Sequence, residues 1–383
     1  MAETRLFAEP RHVALLRRIG LVGGAERTAA NRRIVLALVL AWLPLFAINL
    51  AHVLAGDPGG FSFFRDIGAN SRLLLAVPLL IAAEYLTLPQ LGRIADYLRE
   101  CIVDRDDVAR FDEAASAAQT RSRSILPSAL LFVAAYAVAL ALVLLAPHAR
   151  LPAWRLAEST WFSPAGWWHA LVSMPLFYGL LLAWLWRVGI WTRFLHAVSR
   201  LRLHLVTAHP DKAAGLQFLA YSPRVFAPVA FAVGIAIAGT LANGLSQLGL
   251  SLLEHGLIPA LTAAIVTAVL VSPPLVFTPM LRRAWQDGVL LYGDIARRVG
   301  GVFERKWFDA RTSVDPATLE KPDFSATTDL YSIAANVYGM SFVIFDYRTA
   351  AAIAVATLLP FLPLWLSAVP IDEVLQKIAG LVL

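Results

Sequence analysis

The sequence predicts an all-α, polytopic helical membrane protein with about seven transmembrane helices, and three observations carry that reading. Apolar residues make up 58% of the 383-residue chain, with a mean hydropathy of +0.64, against about 45–50% apolar in soluble domains. Apolar runs near the twenty-residue length of a bilayer crossing recur along the chain. Between them lie the basic residues, concentrated in alternate connections.

The runs cover 34–54, 73–91, 125–145, 167–191, 226–248, 257–276 and 349–369. At 1.5 Å per residue each can cross about 30 Å of hydrocarbon. They lack polar alternation, so helices rather than barrel strands are expected to satisfy the backbone in lipid. The first run follows a basic stretch and ends in Val53-Leu54-Ala55, the outline of a cleavable signal. At about 21 residues it exceeds the usual 7–15 of a signal core, so it is read as a retained span. Residues 1–33 then form a cytoplasmic amphipathic segment, with a surface helix expected over 5–22.

Of the 33 Lys and Arg residues, 28 lie in 1–33, 92–124, 187–224 and 282–348. The other five are Arg65, Arg72, Arg150, Arg155 and Lys377. The positive-inside rule places the first set, with the N-terminus, in the cytoplasm and the C-terminus outside. Trp154, Trp161, Trp167 and Trp168 fall at the expected outer interface, and Trp184, Trp186, Trp191 and Trp285 near the inner one. The net charge of +6 and pI near 9.7 therefore report membrane orientation. Nucleic acid is not an expected partner, because no soluble domain carries a basic face.

The domain reading is a seven-span unit over 34–369 with cytoplasmic helical loops at 92–124, 193–223 and 282–348. The first of these has the mixed charge and helix formers of a hairpin. The last begins as an amphipathic helix to about Phe308, loosens around Pro316 and Pro322, and resumes near Thr327. Residues 370–383 read as an outer interfacial helix, with Pro370, Asp372 and Glu373 in its first turn. Prolines 44, 78, 127, 175, 228, 273, 274, 279, 360 and 363 predict kinked spans. Broken spans are frequent in transporters, whose freed backbone groups line ion sites.

Glu84 is the one acid inside a predicted span, and an isolated charge there costs about 2.5–3.5 kcal/mol on insertion scales. Two readings have equal weight: an ion or proton site, and an ion pair with Arg187 at similar depth. On the cytoplasmic side, His209-Pro210-Asp211-Lys212 resembles the loop signature of chaperone J-domains, yet the spacing of the adjacent spans leaves no room for such a domain. The residues His209, Asp211, Lys212 and Gly215 are read as a helix cap, Asp211 capping a helix through Ala213 and Ala214, with an anion site as the lesser alternative. Asn49, His52, Asn243 and Gln247 share an outer depth, where hydrogen bonding between helices explains them and a polar pore mouth is the lesser alternative.

Several motifs taken together suggest a family. They are Pro78 to Glu84, Ala165-Gly166-Trp167-Trp168, Val172 to Phe177, Arg193-Phe194-Leu195, His209 to Leu216, and Ala356 to Pro360 with Pro363, Leu364 and Pro370. They resemble a family of uncharacterised bacterial polytopic inner-membrane proteins carrying a cytoplasmic His-Pro-Asp-(Lys/Arg)-x-x-Gly-Leu motif. The resemblance covers most of the chain from the second span onward and implies a bacterial inner-membrane location, without an activity. That family shows two glycines before the motif's leucine, and here Ala214 replaces the first.

Other chemistry lacks a sequence basis. The single Cys101 excludes an intramolecular disulfide and a cysteine metal cluster. No phosphate-binding glycine loop, His-Glu-x-x-His or nucleophile elbow occurs, so no catalytic residue, metal or cofactor is expected. The leading functional expectation is a channel or transporter for a small ion or solute. A scaffold or sensor that binds a cytoplasmic protein through 92–124 and 282–348 is the alternative, and an enzyme acting on lipid or phosphate near His209 and Asp211 is the weaker third. Expected partners are the lipid bilayer, the transported solute or that protein, and homo-oligomers fit the reading.

Overall fold

The computed structural model describes residues 6–7, 26–145, 151–156, 162–248, 255–309 and 323–368. Among them no strand forms, and Val103–Leu203 and Leu156–Phe162 pair only as isolated bridges. The main helices are α1 (Arg27–Leu54), α2 (Ile67–Ile102), α3 (Val108–Arg123), α4 (Ile125–Leu145), α5 (Pro164–Val198), α6 (Gln217–Gln247), α7 (Leu257–Val271), α8 (Pro273–Phe308), α9 (Asp323–Tyr338) and α10 (Tyr347–Ser367). Six of these, α1, α2, α4, α5, α6 and α10, are long and apolar enough to cross a membrane. Helices α7 and α8 meet at a 44° bend and make a seventh if counted as one span. The bend falls at Ser272, ahead of Pro273 and Pro274, because consecutive prolines remove two backbone donors.

Helix α6 is the centre of the bundle. It packs against the first turns of α2 and along α10, and two glycines permit both approaches. A Cβ on Gly239 would collide with Ser71, and one on Gly234 with the carbonyl of Thr357. Helices α1 and α5 complete the core around α2, with Trp184, Trp191 and Phe226 fully buried. Helix α4 lies outermost. Of its residues only Ala135 and Ala139 are buried, while Leu130, Phe132 and Val133 are exposed.

Prolines shape the helices in a consistent way. Pro78 and Pro175 each follow a π-helical turn, over Arg72–Ala76 and His169–Ser173. Proline cannot bond to the carbonyl four residues back and clashes with it, and a widened turn relieves the clash. The freed carbonyls find other donors. Pro44 releases the Leu40 carbonyl, which accepts Trp168 Nε1 at 3.0 Å, and Pro175 releases that of Leu171, which accepts Tyr136 Oη at 3.0 Å. Neighbouring helices thus satisfy what proline leaves open, the condition for such breaks in lipid.

The structure corrects several boundaries. Helix α1 contains Arg33, which the sequence assigned to the N-terminal segment. Helix α2 runs on to Ile102, so the hairpin expected over 92–124 consists of its last turns and α3. No helix starts at Ala213 or Ala214; the chain turns through 207–216 and becomes helical at Gln217. Of the surface helix expected over 5–22 only residues 6–7 are described, and they are not helical, while the one over 370–383 lies outside the described residues.

Candidate functional site

Glu84 on α2 is held from two sides. Arg187 Nη2 on α5 donates to its Oε1 at 2.5 Å and Arg33 Nη1 on α1 to its Oε2 at 2.6 Å. All three side chains are at most 14% exposed, so screening by water is weak and the attraction strong. Among the described residues, two guanidinium groups facing one carboxylate leave a surplus of one positive charge. Arg187 also lies 4.9 Å from the Trp184 ring, whose Nε1 is anchored on the Leu80 carbonyl. Its remaining terminal nitrogen, Nη1, is buried and has no hydrogen-bond partner.

This cluster forms the polar end of a cavity of about 540 Å³ bounded by α1, α2, α4 and α5. Elsewhere the walls are mainly apolar, with Leu36 and Leu40 from α1, Ile81 from α2, Leu131 and Phe132 from α4, and Leu176 and Leu180 from α5, and with Ser122 of α3 and Ser128 and Tyr136 of α4 as polar lining residues. Leu40 and Phe132 are 45% and 63% exposed, so the cavity opens sideways between α1 and α4, onto the apolar outer face of the bundle. The volume lies within the roughly 300–1,000 Å³ of small-molecule sites. Both proline-broken carbonyls, of Leu40 and Leu171, belong to its lining residues.

The His209–Gly215 loop is built around its own carboxylate. Asp211 Oδ1 accepts the backbone N–H groups of Ala213 and Gly215 at 2.9 and 3.1 Å, Oδ2 accepts that of Gln217 at 3.1 Å, and His209 Nδ1 lies 2.9 Å away. The backbone makes the nest an anion would occupy, and Asp211 fills it. Burial alone raises the Asp211 pKa, but the three N–H donors and His209 outweigh it and hold the carboxyl below its usual range. Lys212 and Ala214 have φ of 57° and 54°, and Gly215 of 92°. A glycine at 214 would answer to that left-handed conformation, not to close approach of a ligand. The loop also accepts a hydrogen bond from Ser341 N on the Lys212 carbonyl, 2.7 Å long, and Gln217 Nε2 donates to the Phe345 carbonyl.

The four outer polar residues do not assemble into one cluster. Asn49 donates to the Leu45 carbonyl of its own helix, and His52 pairs with Asp57 at the surface. Asn243 and Gln247 instead hold the turn before α2, through the Asp66 carboxylate at 2.5 Å and the Arg65 carbonyl at 3.3 Å. A common pore mouth is therefore absent among the described residues. Equal depth on a helix says nothing about which way each side chain faces.

The sequence reading passed over the group around Asp66, which is fully buried. Its carboxylate accepts Ala69 N, Asn243 Nδ2, Trp154 Nε1 and Arg155 Nη2. Arg72 and His169 are buried beside it, 8% and 2% exposed. In the sequence, Arg72 and Arg155 count only among the five basic residues of the outer side, and Asp66 and His169 belong to no motif. Nothing in their spacing announces that a loop folds inward. No group of three or more His, Cys, Asp or Glu suited to a metal ion occurs among the described residues.

The chain matches no protein-family model, no curated protein and no solved structure.

Proposed function

We propose that this is a multi-pass membrane protein that takes an anionic amphiphile from the bilayer into the cavity between α1, α2, α4 and α5 and carries it across. One observation supports the ligand class above all: Arg187 Nη1, a buried and unpartnered cationic donor, stands at the polar end of an apolar chamber open to the side. A buried N–H donor without an acceptor is costly even when the rest of its guanidinium is paired. An acyl chain suits the apolar walls, and a carboxylate or phosphate head suits the surplus positive charge of Arg33 and Arg187. Glu84 keeps the two guanidinium groups together and lowers their net charge, so the head is held without being trapped.

The test is binding of a dansylated medium-chain fatty acid to the purified protein in nanodiscs, with an alkyl phosphate and the neutral alcohol of the same chain as competitors. Both anions are expected to displace the probe at least about tenfold better than the alcohol, one charged contact being worth about 1.5–3 kcal/mol. Arg187→Gln should weaken the anions and leave the alcohol unchanged, whereas Glu84→Gln should tighten them. Equal competition by acid and alcohol would overturn the ligand class. A second reading, a sensor or scaffold, draws on the α8–α9 pair, which exposes Leu290, Leu291, Phe308 and Tyr338. Binding without transfer of the probe across proteoliposome membranes would favour that reading.

A further inference from the structure

At the opposite end of the bundle, the cluster around Asp66 also carries more positive than negative charge. The Asp66 carboxylate is shared among the Ala69 backbone, Asn243, Trp154 and Arg155, and none of it reaches Arg72. That guanidinium donates instead to Met174 Sδ at 3.1 Å and Thr240 Oγ1 at 3.0 Å, and lies 5.5 Å from the Phe177 ring. A thioether, a hydroxyl and a ring are weak partners for a cation that is only 8% exposed.

Four buried nitrogens of the same cluster have no hydrogen-bond partner: Arg72 Nε, Arg155 Nε and both ring nitrogens of His169. The groups are close. Trp154 joins them, stacking its ring under Arg155 at 4.9 Å and edge-on to His169 at 5.3 Å. Arg72 reaches the same helix, donating to Met174, which follows His169 on α5. A neutral imidazole carries one N–H, so three N–H donors of this cluster lack an acceptor. The backbone is specialised at the same place, since Arg72 and His169 are each the first residue of a π-helical turn. Such turns recur at functional sites.

We propose that this cluster binds a small monovalent inorganic anion of halide or nitrate size, held by Arg72 and Arg155 with His169 as a third donor. The charge sets the valence: among the described residues, two arginines against one aspartate leave one positive charge to neutralise. Packing sets the size. A Cβ on Gly68 would lie 3.1 Å from Asn243 Nδ2, and α2 and α6 touch at Ser71 and Gly239, so close helix packing beside the cluster favours a small ion. This site is separate from the amphiphile cavity and does not depend on it.

The experiment follows thermal unfolding of the purified protein in nanodiscs, in sodium chloride, bromide or nitrate against sodium gluconate at constant ionic strength. A saturable rise in midpoint is expected with the small anions and none with gluconate, because a ligand that binds only the folded state stabilises it by mass action. Arg72→Gln should weaken the apparent affinity about tenfold or more, while Arg298→Gln, which removes an exposed charge elsewhere, should leave it unchanged. Identical midpoints in chloride and gluconate would overturn the proposal, and so would an undiminished response in Arg72→Gln. If Arg72→Gln does not fold, bromide is located by anomalous scattering in crystals of the unaltered protein. A peak within hydrogen-bond distance of Arg72 Nε supports the site; peaks confined to the surface, or none, refute it.

Discussion

At the scale of single residues, carboxylates organise this protein by accepting more donors than one partner supplies. Asp211 shows the effect outside the helices that are long and apolar enough to cross a membrane. Because its pKa is lowered on folding, the unfolded chain binds the proton more tightly. The stabilisation is therefore present above the ordinary aspartate pKa of about 3.9 and is lost as pH falls through the lower, folded value. Amide resonances of Ala213, Gly215 and Gln217 should keep their positions from neutral pH down to about 4 and move together below it. In Asp211→Ala they should be shifted at every pH. Amides that stay in place through the whole acid range would show that Asp211 does not set the loop. Glu84, by contrast, was legible as an exception in an apolar run, and its pairing with Arg187 was one of two readings of equal weight. Arg33 was not, because a basic residue at the start of an apolar run looks like a flank until the helix is seen to begin earlier.

At the scale of elements, proline and glycine have separable effects. Prolines 44, 78 and 175 were legible as breaks, but their consequence was not: α1 and α5 release carbonyls that Trp168 and Tyr136, on other helices, then accept. The close approaches of α6 rest on glycine, and the two contacts differ in kind. Gly234 faces the backbone carbonyl of Thr357, whereas Gly239 faces the Ser71 side chain, which can rotate. Gly234→Ala should therefore destabilise the protein by more than Gly239→Ala, at the upper end of the roughly 1–3 kcal/mol typical of overpacking. Thermal unfolding of both variants in one detergent checks the order, and the reverse order would show that α6 and α10 have freedom to separate. Helix α4 was placed correctly by its run length, yet the sequence did not reveal it as the outermost helix or as a wall of the cavity. A continuous apolar run looks the same whether lipid or protein surrounds it.

At the scale of the whole molecule, the asymmetry of basic residues predicts the orientation. The end bearing α3 and the Asp211 loop should face the cytoplasm, and the Asp66 end the other side. Cys101, exposed at the end of α2 and alone in the sequence, is a built-in reporter. A membrane-impermeant maleimide should leave it unlabelled in right-side-out vesicles and label it in inverted ones. Labelling of the intact right-side-out face would reverse the orientation and place the anion cluster, not the Asp211 loop, in the cytoplasm.

Hydropathy and length by themselves determined the helical class and the places of the apolar helices, because a backbone in hydrocarbon has to satisfy its own hydrogen bonds and about twenty residues are needed to cross. They did not determine which helices touch or which polar groups meet. Asn243 reaches Asp66 rather than Asn49, Arg33 joins Glu84, and Asp211 folds its loop inward instead of capping a helix. Those outcomes depend on the rotation of each helix about its axis and on where connections fold back. Packing at Gly234, Gly239 and the proline breaks sets both, and such contacts join residues far apart in sequence whose one-dimensional pattern carries no record of the neighbour.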